Sequence, residues 1–200
     1  GDIILQEALG SAIQKISSTK GDVHISVPLQ ITEILAPRGK IFTEHKLVAS
    51  RLEAQIIHSK ASLYVSEHVL TTAVLRVNGD IETPKLTANG SVTIGGSARI
   101  EQLAVEGDLT ISQDLICEQL YCTEKVAINR NLKASNIESK GTHFECMGNV
   151  KTNELRDFNF ITENIYYAIF SLIIVIVFSV NVIKVNRIGI IKELYFLSFK

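Results

Sequence analysis

Cysteine is scarce in this 200-residue chain: three residues, at positions 117, 122 and 146. An odd, closely spaced set argues against a disulfide framework and for small buried hydrophobes, which weakly favours a reducing compartment. Tryptophan is absent and methionine occurs once. The three prolines, Pro28, Pro37 and Pro84, fall near expected corners or strand ends, where a missing N–H is tolerated. Neither sign of charge dominates, with 20 Lys+Arg against 21 Asp+Glu. No basic stripe interleaved with aromatics occurs, which argues against a nucleic-acid partner. The signatures of nucleotide and acyl chemistry are missing too: there is no G-x-S-x-G, no P-loop and no G-x-G-x-x-G at a strand-to-helix turn. Gly95-Gly96 precedes no helix and reads as a corner. The five histidines (24, 45, 58, 68 and 143) keep no metal-ligand spacing. The expectation is a non-enzyme with no catalytic residues, no cofactor and no metal.

What is present is a period. Leu86, Leu103, Leu120 and Ile137 follow one another at steps of 17, and Leu155 follows at 18. Within each row, apolar residues come in pairs two apart. Val92, Leu109 and Val126 hold the seventh position, which blurs at His143/Phe144, while Ile94, Ile111 and Ile128 hold the ninth. A spacing of two is the strand signature, because alternate side chains share a face. Corners such as Asn89-Gly90-Ser91 and Glu106-Gly107-Asp108 carry turn residues, for which Gly and Asn offer positive φ. Three short strands per row define an all-β, single-stranded parallel β-helix of about 17 residues per coil. Leu86, Leu103, Leu120, Ile137, Ile94, Ile111 and Ile128 form its core ladders.

Toward the N-terminus, an apolar marker five residues before each row-opening residue gives openings at Ile34, Leu52, Val74 and Leu86, at steps of 18, 22 and 12. Seven or so coils result. Residues 1–20 form a separate arm, whose rough helical spacing over 3–16 predicts a short helix capping the first coil. Residues 21–157 are the solenoid. The chain opens on Gly1 without an initiator Met, which reads as a fragment or a processed product, and no signal peptide is visible.

Residues 158–200 share nothing with the repeat, a look also given by an out-of-frame C-terminus. Asn164 to Ile183 is a run of twenty residues without a charge, long enough for a membrane-spanning helix. Tyr166 and Lys184 are placed as interfacial anchors, with Phe170, Ile174 and Phe178 in the hydrocarbon. Four cations after the run against two just before it would put the solenoid outside. The free thiols and the lack of a visible signal peptide place it in the cytosol, and that reading is preferred.

The segments Val77-Asn78-Gly79-Asp80-Ile81-Glu82-Thr83-Pro84-Lys85-Leu86, Val105-Glu106-Gly107-Asp108-Leu109 and Gly141-Thr142 resemble those of bactofilins, bacterial polymer-forming cytoskeletal proteins. The resemblance covers about residues 60–155. It implies a right-handed β-helix that assembles without nucleotide into membrane-associated filaments. The extra N-terminal coils and the C-terminal apolar run depart from the family pattern. The expected function is a scaffold on the cytoplasmic face of the inner membrane, with partners that are further copies of the chain, lipid and client proteins. The polymer contact is expected at the C-terminal end, on Phe144, Val150, Leu155 and Phe158. Two alternatives remain: a hexapeptide-repeat acyltransferase-like enzyme, which the 6+6+5 step disfavours, and a surface β-solenoid adhesin.

Overall fold

The computed structural model describes residues 1–6, 13–141 and 143–156. These all fall in one compact unit, Gly1–Ile161. They contain seventeen strands and no helix, and every strand pairing is parallel. The chain winds as a β-solenoid of about nine turns. Each full rung carries three strand segments, and the segments of successive rungs stack into three faces. Face A contains Leu29–Ile31, Leu47–Ala49, Leu63–Val65, Ile81–Thr83 and Ala98–Ile100. Face B contains the row-opening residues, and face C contains Val92–Ile94, Leu109–Ile111 and Val126–Ile128. With rungs about 4.8 Å apart, nine of them extend roughly 40 Å along the axis.

The core is a bundle of columns rather than a globule. On face B, Ile16, Ile34, Leu52, Val69, Leu86, Leu103, Leu120 and Ile137 stack in register, and each is buried. On face C, Ile94, Ile111 and Ile128 stack in the same way. All seven expected ladder residues therefore point inward. Burial of a Leu or Ile side chain contributes about 1.5–3 kcal/mol, so the repeated columns supply the cohesion that strands of three residues lack.

Three sequence expectations are corrected. First, the N-terminal segment is not a capping helix. Ile3–Leu5 pairs with Val23–Ile25, and Lys15–Ser17 pairs with Glu33–Leu35, so the segment builds a first rung. Its apolar residues follow the columns, and burial against the rung above outweighs a weak helical spacing. Residues 7–12 lie outside the described residues. Second, the opening at 74 belongs at Val69, which pairs with both Leu52 and Leu86, whereas Val74 is 39% exposed. The openings 34, 52, 69 and 86 then step by 18, 17 and 17. Corner length absorbs the irregularity: register shifts lie between Ala36 and Lys40, Ala49 and Arg51, and Ala54 and Ile56. Corners face water and tolerate an extra residue, whereas columns do not. With the first rung included, seven coils become about nine.

Third, the corner glycines answer to space rather than to backbone sign. No described glycine has a φ in the left-handed region. A Cβ on Gly90 would run into the carbonyl oxygen of Ala73 in the rung beneath, and one on Gly141 into that of Glu124. Polar corner residues also bind between rungs. The side-chain oxygen of Asp80 accepts from the Ser97 N–H at 2.8 Å, that of Asp114 from Asn131 at 3.0 Å, and that of Asn131 from Asn149 at 3.1 Å. Such bonds satisfy backbone donors that the turn would leave unpaired.

Candidate functional site: the C-terminal end of the solenoid

The last rung is made of Phe144–Cys146, Val150–Lys151 and Glu154–Arg156. Each segment pairs on one side only, with Val126–Ile128, Leu132–Lys133 and Asn136–Glu138 respectively. Among the described residues no strand pairs on the other side. Three short parallel edges thus lie at one end of the solenoid, with the N–H and C=O pattern that a further rung would meet.

The columns meet this end differently. Phe144 continues the column of Val126 and is 1% exposed, which settles the blurred His143/Phe144 position and places the Phe144 ring inside the core. Expected as a contact residue, Phe144 is instead a plug: its side chain fills the last rung from within and is buried. Val150 is partly buried against the core. Leu155 ends the face B column and is 43% exposed, while no other member of that column exceeds 6%. Among the described residues no further rung stacks on it. Phe158, and the membrane residues Tyr166, Phe170, Ile174, Phe178 and Lys184, lie outside the described residues, as does the expected span 164–183. Among the described residues no helix is long and apolar enough to cross a membrane.

Charged pairs lie on two faces of this rung. Arg156 binds Glu154 in an exposed ion pair at 2.6 Å, and His143 lies 3.4 Å from Glu145. A small hollow of about 220 Å³ on face B is lined by Leu120, Tyr121, Ile137, Glu138, Glu154 and Arg156, among others. Lys140 beside it lies over the Tyr121 ring, and Tyr121 and then Glu138 raise its pKa. Such exposed pairs set orientation more than stability.

The interior cysteines among the described residues are not reactive groups. All three thiols are buried. Desolvation pushes Cys117 up to about 12 and Cys122 up to about 11, and also raises Cys146. Thiols held in that state are poor nucleophiles. Among the described residues no three His, Cys, Asp or Glu side chains gather as an ion site. One constellation escaped the sequence reading. His24, Phe42 and His58 stack on the outer side of face C, with ring centroids 4.6 Å and 5.3 Å apart and edge-on geometry. The irregular N-terminal steps concealed that shared column.

No family model matches the chain, and neither does any curated protein or solved structure.

Proposed function

We propose that this chain is a structural scaffold that self-assembles end to end into filaments without nucleotide. The observation that carries the reading is Leu155, the last member of the face B column among the described residues and 43% exposed where every other member is buried. A second copy set against this end covers Leu155 and continues the apolar columns. A contact that does not close on itself propagates as a fibre. In this reading the solenoid winds right-handed, as the bactofilin resemblance implies. Residues 164–183 hold the polymer on the cytoplasmic face of the inner membrane, where it shapes the cell or positions client proteins.

The test is electron microscopy and sedimentation of the full chain in detergent or lipid. Filaments or concentration-dependent oligomers are expected. Leu155→Arg places a charge in the apolar seam, and should abolish assembly while leaving the β-rich circular dichroism spectrum intact. A wild-type protein that stays a monodisperse monomer at tens of micromolar sinks the scaffold reading.

A further inference from the structure

Where face A turns into face B, the first six rungs leave a groove of about 920 Å³ running along the solenoid axis. Each rung adds two or three residues to it, from Ile13 and Gln14 up to Arg99 and Glu101. The floor is the buried column residues Ile31, Ala49, Val65 and Thr83. The walls are polar, and they are uncommitted. Gln30, Ser50, Ser66, Glu82, Arg99 and Glu101 have no side-chain hydrogen bond or ion pair among the described residues. Some charged side chains on the neighbouring surface are paired, Lys15 with Glu33, Arg51 with Glu53 and Lys60 with Glu44, while Glu67 and Lys85 beside the groove have no ion pair among the described residues.

Two further features single out the middle of the groove. Tyr64 stands in register between Val48 and Glu82, with the Lys46 ammonium 4.3 Å from its ring centroid. In the same rung the chain bulges: the register against the rung above shifts between Tyr64 and His68, so Ser66–Glu67 holds one residue more than the corner beneath. Bulges re-aim side chains, and here the bulge lies on the groove.

The lining narrows the occupant. Strands on both walls pair with the rungs above and below, so a peptide finds no free edge to extend. Glu82 and Glu101 outnumber Arg99, which disfavours a polyanion. Hydroxyl, amide, carboxylate and guanidinium groups offer donors and acceptors together, and Tyr64, Val48 and Pro84 add apolar patches between them. Hydroxyl-covered rings with apolar C–H faces match that mixture. The rung spacing of about 4.8 Å is also close to the length of one pyranose unit in an extended chain.

We propose that this groove binds a neutral β-linked saccharide chain laid along the axis, with Tyr64 packing on a sugar face and Gln30, Ser66, Glu82 and Arg99 holding its hydroxyls. The site is independent of end-to-end assembly. The test is calorimetric titration of the full chain with four neutral β-linked hexasaccharides: gluco-, N-acetylglucosamino-, manno- and xylo-hexaose. At least one should bind with a Kd of about 1 mM or tighter and with little change on raising the salt. Tyr64→Ala should weaken that binding about tenfold or more and Arg99→Ala several-fold, while Tyr64→Phe keeps most of it and Thr110→Ala on face C changes nothing. Should Tyr64→Ala fail to fold, Arg99→Ala and Glu82→Gln carry the test, since both residues are exposed. Absence of binding by all four sugars overturns the proposal. So does binding that none of the groove variants weakens, or binding of heparin or an unstructured peptide in their place.

Discussion

At the last inward position before a corner, one chemical requirement recurs under different residue names. Thr43 donates its hydroxyl to the His45 carbonyl at 2.8 Å, Ser59 to that of Ala61 at 2.8 Å, and Thr83 to that of Lys85 at 3.2 Å. Cys122 and Cys146 hold comparable positions, with Sγ 3.2 Å from the Gly107 carbonyl and 3.1 Å from that of Arg130. A buried corner carbonyl gains from any small donor, and a thiol is a weak one. Cys117 stands in the column of Thr83 and Ile100, and desolvation alone raises its pKa to about 12. A hydroxyl at 117 can bond the carbonyl two residues on as Thr83 does, so Cys117→Ser and Cys122→Ser are each expected to change stability by less than about 1 kcal/mol. Denaturant melts check this, and a loss of about 2 kcal/mol or more in either variant refutes it.

Taken one element at a time, these strands are too short to stand alone, and corner chemistry decides how well each rung seats on the next. Asp114 is the clearest case. Hydrogen bonds from the Asn131 backbone and side chain hold its carboxyl below the ordinary 3.8. Because the folded pKa is the depressed one, the stabilisation is fully present above the unfolded value and is lost as pH falls through the folded value. Glu33 and Glu44 have the same sign, held low by Lys15 and Lys60. Asp114→Asn keeps an acceptor for the Asn131 N–H but removes the titration. Thermal melts from neutral pH to about pH 2 should show little change at neutrality and a shallower acid decline than wild type. An unchanged acid slope would show that this corner does not contribute.

The whole molecule behaves as a one-dimensional stack, in which each rung is stabilised by its two neighbours and by little else. The last rung has one neighbour among the described residues. Hydrogen exchange should therefore be slowest in rungs built from residues 63–139, and fastest in Phe144–Cys146, Val150–Lys151 and Glu154–Arg156. Protection at those three segments should rise under conditions that drive assembly, because a docked copy covers that rung. Uniform protection along the dispersed chain would instead describe a single cooperative core.

The repeat, the strand period and the inward columns from Leu86 onward are legible in the chain's residues, because most side chains buried between stacked rungs are apolar in every rung. The sequence also marks Leu155 as the end of a column. What depends on contact between rungs emerges only in the folded stack. Val69 rather than Val74 opens its row because the bulge at Ser66–Glu67 shifts the count, and a shift within a solvent-facing corner leaves no hydrophobic trace. Residues 3–5 and 15–17 became strands because the rung above buries them, against a local spacing that suggested a helix. Gly90 is constrained by the Ala73 carbonyl, a neighbour seventeen residues away that no local pattern reveals. The groove beside Tyr64 is likewise assembled from six rungs, each contributing side chains unremarkable in their own row. Columns are legible in a sequence because they repeat; corners and grooves are not, because their geometry arises only where successive rungs meet.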